Sequence, residues 1–269
     1  MAPLKQMKKP LEVVSDSTEK PANPLRVRSV EKAFRVLDAF SPAQPVMGLT
    51  QLANYLGVDK SEAQRFVFTL TELGYLRKDP VTKALQLTVK TLDLGHNYLR
   101  SNPIVRGAST YLTHLNTLTD ETVNLAILDG TDIVYVQRIV SRHVFNSNVV
   151  IGTRLPAFCT AAGLAILASM DRNEARSILE RSDLVSHTPM TTWHLPELLE
   201  KLDQTAQQGY SVADKEYFND ICIGAAVRDA RGQPVAAVSV ALSSARTTAE
   251  EAVRKHAPLV MEAARSIPT

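Results

Sequence analysis

Within LTQLANYLGVDKSEAQRFVFTLTELGYLRKDPVTKALQL (49–87), the side chains best suited to meet a nucleic acid are Ser61, Gln64, Arg65, Phe68 and Thr69. Their spacing puts them on one face of a helix, with Lys60 at its start. Such a face offers a guanidinium and an amide for base edges, hydroxyls for phosphates, and apolar contact for thymine methyls. The opposite face, Ala63, Phe66, Val67, Leu70 and Leu73, is an apolar stripe that needs a core.

The flanking residues supply the elements that position this face. Leu49, Leu52, Ala53 and Leu56 mark a short preceding helix, and Gly57 stands where a left-handed C-terminal residue is wanted. Asp59 and Ser61 are alternative caps for the second helix. After Gly74, Tyr75–Lys78 and Lys83–Leu87 read as two short strands joined at Asp79-Pro80, with Lys78 and Lys83 placed to touch phosphates. A helix-turn-helix followed by a basic wing is a DNA-binding unit. A first helix, built on Val30, Ala33, Phe34, Leu37 and Phe40 and ending before Pro42, packs beneath it.

Charge agrees with this division. Residues 26–102 hold 11 Lys/Arg against 7 Asp/Glu, a net of +4, whereas residues 103–269 hold 15 against 18, a net of −3. A basic head on an acidic body suits a polyanion binder that senses something else with its second half. At 269 residues, 45% hydrophobic and 22% charged, the chain is expected to form two soluble globular domains. It has neither an apolar run long enough for a membrane nor a secretory h-region, so the expected location is cytoplasmic. Cys159 and Cys222 lie far apart, as in a reduced protein, and His143, His187 and His194 lack zinc-site spacing. No metal or cofactor motif is present.

Residues 1–25 read as a disordered tail. A linker helix follows the wing over 88–100, until Asn102-Pro103 breaks it. Beyond it come a helix over 104–118, a hairpin (121–128 and 133–140 about Asp129-Gly130), and a strand over 144–150. A buried small-residue helix (158–170) and helices from Asp171 and Leu195 come next, then a loop over 212–220. A second hairpin (221–228 and 235–242) and a last helix to Ser266 complete the chain. This order predicts an α+β domain with helices on both faces of one antiparallel sheet.

The segments RVRSVEKAFRVLDAF, LTQLANYLGVDKSEAQRFVFTLTELGYLRKD and LQLTVKTLDLG resemble the amino-terminal half of the isocitrate lyase regulator (IclR) family of bacterial transcription factors. RLPAFCTAAGLAILA and GYSVADKEYFNDICIGAAVRDARGQPVAAVSVAL resemble its effector-binding half. The resemblance implies a winged helix-turn-helix over 26–87, a linker helix over 88–102 and a GAF-like effector-binding domain over 103–269. It also implies operator DNA as partner, a homodimer that pairs into a dimer of dimers, and no enzymatic activity. By position, it carries a small-ligand site onto Ala161, Ala162, Asp214, Cys222 and Ser239. The free N–H groups at that helix start favour a carboxylate, and Thr160 and Ser239 add hydroxyls.

The chain departs from the family's pattern at Phe158, Leu164, Ala226 and Ala241, where members often carry histidine, lysine, proline and a hydroxyl residue. Phe158, the small Ala161, Ala162, Gly163, Gly224 and Ala225, and Phe145 then leave room for a ring, so an aromatic carboxylate is the expected effector of a catabolic operon's regulator. The competing readings are a thiol-dependent enzyme using Cys222 or Cys159 with a histidine, and a scaffold whose pocket is filled. Cys222 in an apolar strand also reads as a core thiol, and Asp214 with Glu216 as a solvated loop.

Overall fold

The computed structural model describes residues 25–142 and 149–269, which divide into two compact units at His96 and Asn97. The tail before Leu25, His143, Phe145 and most of the strand expected over 144–150 lie outside the described residues; Val149 and Val150 belong to no strand.

In the first unit, α1 (Arg28–Asp38), α2 (Leu49–Leu56) and α3 (Lys60–Glu72) enclose a core of Val36, Leu52, Leu56, Val67 and Leu70. Gly57 takes the left-handed conformation at φ 68° and ends α2. Asp59 is the cap of α3, its carboxylate accepting from the Glu62 N–H at 2.8 Å, and Ser61 lies inside the helix. The wing strands β1 (Leu76–Lys78) and β2 (Leu85–Leu87) pair antiparallel, and Met47 adds a bridge to Leu85 that pins the wing to the segment before α2. Leu73, expected in the stripe, is 51% exposed because it caps the end of α3. The linker begins as a 3-10 turn over Val89–Thr91 before α4 (Leu92–Ser101), and Asn102 caps α5 (Pro103–Thr119) through its side-chain oxygen.

In the second unit, six strands form one antiparallel sheet in the order β5-β4-β3-β8-β7-β6. They are β3 (Thr122–Asp129), β4 (Asp132–Ile139), β5 (Arg154–Pro156), β6 (Ser211–Asp214), β7 (Asp220–Arg228) and β8 (Pro234–Ser243). The segment expected as a loop over 212–220 begins as β6, which extends the sheet along β7. Side chains alternate across the sheet. Val123, Leu125, Ile221, Ile223, Val238 and Val240 pack with α5 and α9 (Ala249–Ser266) on one face. On the other, Ala126, Tyr135 and Ala237 pack with α6 (Ala161–Leu167), α7 (Arg172–Arg181) and α8 (Leu195–Gln208).

The helix expected over 158–170 is shorter than its composition suggests. A 3-10 turn over Ala157–Cys159 precedes it, and the Thr160 hydroxyl accepts from the Gly163 N–H at 3.3 Å to start α6. Gly163 is required there, since a Cβ would stand 2.1 Å from the Ala157 carbonyl. Among the described residues, no helix is long and apolar enough to cross a membrane.

Candidate functional site

On the first unit, α3 turns Lys60, Ser61, Gln64, Arg65, Phe68 and Thr69 to solvent. Phe68 is 66% exposed, an unusual position for a phenyl ring unless a partner covers it. The Lys32 ammonium binds the Glu62 carboxylate at 2.5 Å, tying α1 to the start of α3 and compensating the acid nearest the face. On the wing, the Asp79 carboxylate accepts from the N–H groups of Val81 and Thr82 at 2.9 and 2.7 Å, which holds it below the usual carboxylate range. Lys83 closes the turn in the left-handed region at φ 60°, its ammonium donating to the Pro80 carbonyl at 2.6 Å. Lys78 and Arg77 are exposed on β1, and Arg77, which the sequence reading passed over, adds a wing cation.

On the second unit, the sheet face toward α6 carries a narrow cleft with a cavity volume of about 30 Å³. Thr160, Ala161, Ala162, Cys222 and Ser239 all line it. The Thr160 hydroxyl is already used, donating to the Pro156 carbonyl at 3.2 Å and capping α6. Ser211 donates to the Ala161 carbonyl at 2.5 Å, and Gly224 lacks a Cβ where one would stand 2.6 Å from that oxygen, so α6 lies close on the sheet.

Asp214 and Phe158 do not line the cleft. Ala213 does, and its neighbour on β6 points to the opposite face. Asp214 is instead paired across the strands with Ile221, a residue of the core on the α9 side. Phe158 is fully buried in the core beneath α6 and stacks on His187 at 5.9 Å.

Other polar groups stand in their place. Asn124 of β3, 1% exposed, accepts through Oδ1 from the Arg138 guanidinium at 3.0 Å. Thr122, Tyr135, Glu216 and Asp220 also line the cleft. The Glu216 carboxylate is paired with Lys201 of α8 and accepts from the Thr192 N–H at 3.3 Å.

Arg138 reaches the cleft through an irregularity in β4. Ala126 is opposite Tyr135 and Leu125 opposite Gln137, so Val136 is a bulged residue. It shifts the alternation by one, and Tyr135 and Arg138 come to share a face although three positions apart. Asp220 is buried at 9% exposure; burial raises its carboxyl to about 6, opposed by the neighbouring Cys222 thiol and Arg138. The period-two pattern of the β7 segment contains Asp220, since it stands two residues before Cys222. The Val136 bulge has no local signal.

Burial pushes both thiols up, Cys222 with the Asp220 carboxylate adding to the shift and Cys159 in the α6 core. A nucleophile needs a thiolate at neutral pH, and neither environment favours one. Among the described residues, no cluster of three or more His, Cys, Asp or Glu side chains could hold a metal ion.

Both units are similar to those of known proteins. The model of the IclR helix-turn-helix domain matches residues 29–80, and that of the bacterial transcriptional regulator IclR C-terminal domain matches residues 96–269. The HTH-type transcriptional regulator KdgR of Escherichia coli (strain K12) is 33% identical over 245 residues, covering 91% of this chain and 92% of its own. The Pca regulon regulatory protein of Pseudomonas putida is 31% identical over 241 residues, covering 89% and 82%. The crystal structure of a transcriptional regulator from Rhodococcus sp. RHA1 superposes with a TM-score of 0.79 at 30% identity, over 90% of this chain and 97% of that one. These relatives regulate transcription and are not enzymes. The chain belongs to the IclR family of bacterial transcriptional regulators.

Proposed function

We propose that this regulator binds operator DNA through α3 and the wing, and that a small organic acid in the cleft of the second unit sets its affinity. Gln64 and Arg65 read base edges, Lys60, Ser61 and Thr69 support them, and Phe68 takes thymine methyls. Lys78 and Lys83 hold phosphates. One recognition helix spans few base pairs, so a symmetric dimer on a palindromic site is the working form, with dimers pairing into tetramers. The exposed apolar Val30 and Phe34 of α1, with Leu92 and Leu94 of α4, support such pairing.

The effector reading rests on one observation. Arg138 is swung onto the cleft face by the Val136 bulge and anchored on Asn124, which presents a guanidinium to a carboxylate beside Ser239 and Cys222. Ala161 and Ala162 of α6 face the sheet and Ala241 lies beside Cys222 on it, so small side chains border the guanidinium, in line with an aromatic acid. The names of two relatives, a Pca regulon regulatory protein and KdgR, support control of a catabolic operon.

In vitro selection of a DNA site, followed by fluorescence anisotropy, tests the first half. Arg65→Ala should weaken binding to the selected site by roughly 1–3 kcal/mol if Arg65 reads a base. Unchanged affinity removes Arg65 from the interface.

A further inference from the structure

A second cavity on this unit, of about 340 Å³, is far roomier than the cleft and shares no lining residue with it. Its size falls within the range of about 300–1,000 Å³ that small-molecule sites occupy. It exists because the sheet is uneven at one edge. The left-handed Gly209, at φ 80°, ends α8 and turns the chain into β6, which pairs with β7 only from Ile221 to Gly224. From Ala225 on, no strand among the described residues covers the outer edge of β7. Ala225 and Ala226 point to opposite faces of the sheet and both line the cavity. The cavity therefore wraps around that edge, with α6 and α8 on one side and α9 on the other.

Its charge is one-sided. Arg228, at the end of β7, and Arg265, on α9 one turn after Met261, both line it, and no Asp or Glu among the described residues does. Three hydrogen bonds position Arg228. Nη1 donates to the Ser169 and Gly232 carbonyls at 3.3 and 3.1 Å, and Nη2 to the Ser169 hydroxyl at 2.9 Å. A guanidinium has five donors, so Nε–H and one Nη2–H have no partner among the described residues. They form the side-on pair that takes two oxygens of one carboxylate or phosphate. Arg265 makes no hydrogen bond or ion pair among the described residues. Thr205 of α8, only 5% exposed, also lines the cavity, and its hydroxyl has no partner among them. A buried hydroxyl costs stability unless it is hydrogen-bonded, and a ligand oxygen would satisfy this one.

We propose that this cavity is a second ligand site, independent of the acid reading of the cleft, and that it takes a small dianion, a phosphate monoester or a dicarboxylate. Two permanent positive charges facing no acid are neutralised by two negative ones. An oxyanion of the ligand lies on the side-on fork of Arg228, Arg265 closes on it from α9, and Thr205 donates to it. Ala225, Ala226 and Met261 carry the carbon chain.

Calorimetry on the full chain tests it, with inorganic phosphate, glycerol 3-phosphate and succinate as dianions and acetate as the monoanion. The pH is held at about 8, where a phosphate monoester carries close to two charges. At least one dianion should bind about tenfold or more tighter than acetate. Arg228→Gln and Arg265→Gln should each weaken that binding about tenfold or more, whereas Arg138→Gln, in the cleft, should leave it unchanged. Arg265 makes no contact of its own in the folded chain, so its variant keeps the test decisive if losing the Arg228 bonds disturbs folding, which circular dichroism reports. Binding of the phosphates alone or of succinate alone supports the site and names the class. Binding that Arg265→Gln leaves undiminished, that Arg138→Gln weakens equally, or that acetate matches overturns the proposal, as does failure of all three dianions to bind.

Discussion

The Asn124 side-chain oxygen and the Arg138 guanidinium meet at 3.0 Å across adjacent strands, opposite one another in the β3–β4 register. Asn124 is almost wholly buried, so its amide helps to fix where the guanidinium stands.

Asn124→Ala should therefore weaken acid binding without changing which acids bind. The lost hydrogen bond to a charged group corresponds to roughly 1.5–3 kcal/mol, about ten- to a hundredfold in Kd. Calorimetry with the tightest-binding acid measures it. An unaltered Kd would show that Arg138 does not need this anchor.

Asp220 makes stability depend on pH in a stated direction. Its folded carboxyl is raised to about 6, above an ordinary value near 3.9, so the ionised form weakens the native state. The penalty is absent below about pH 4, grows as pH rises through about 6, and is constant above. Asp220→Asn, neutral throughout, should be more stable than the native protein at pH 8 by up to about 3 kcal/mol and no different near pH 4. Thermal unfolding of both proteins across this range checks the sign; equal pH dependence would mean that Asp220 is solvated.

Lys83 combines a charge with a left-handed backbone at φ 60°. Lys83→Gly should relieve the conformational strain, raising stability by up to about 1 kcal/mol, while removing one phosphate contact. Operator affinity should fall alike on all sequences, and the slope of log K against log salt should flatten by about one unit. A loss confined to one sequence would put the wing in base readout.

The DNA-binding unit was legible because its signals are local. Gly57, the apolar stripe of α3 and the wing turn at Asp79-Pro80 each act within a few residues; the structure chose Asp59 over Ser61 as cap and put Leu73 at the exposed end of α3. In the cleft, Ala161, Ala162, Cys222 and Ser239 were reached only through the family resemblance, carried over by position, and no pattern within their own segments marks them. Asp214, carried over by the same resemblance, does not line the cleft, because the stretch that reads as a loop forms β6, whose alternation turns Ala213 inward and its neighbour away. Asn124 and Arg138 were missed because their meeting depends on pairing between strands and on a bulged residue, neither of which periodicity within one strand reveals.

The central claim is that an acid in the cleft controls the grip on DNA. It is tested most directly by the anisotropy-measured affinity for the selected site, with and without the tightest-binding acid, in the native protein and in Arg138→Gln. The native protein should show a shift of about 5- to 150-fold, the range expected for a coupling of about 1–3 kcal/mol, and Arg138→Gln should lose most of that shift at the same acid concentration. No shift in the native protein, or an equal shift in Arg138→Gln, would contradict the account.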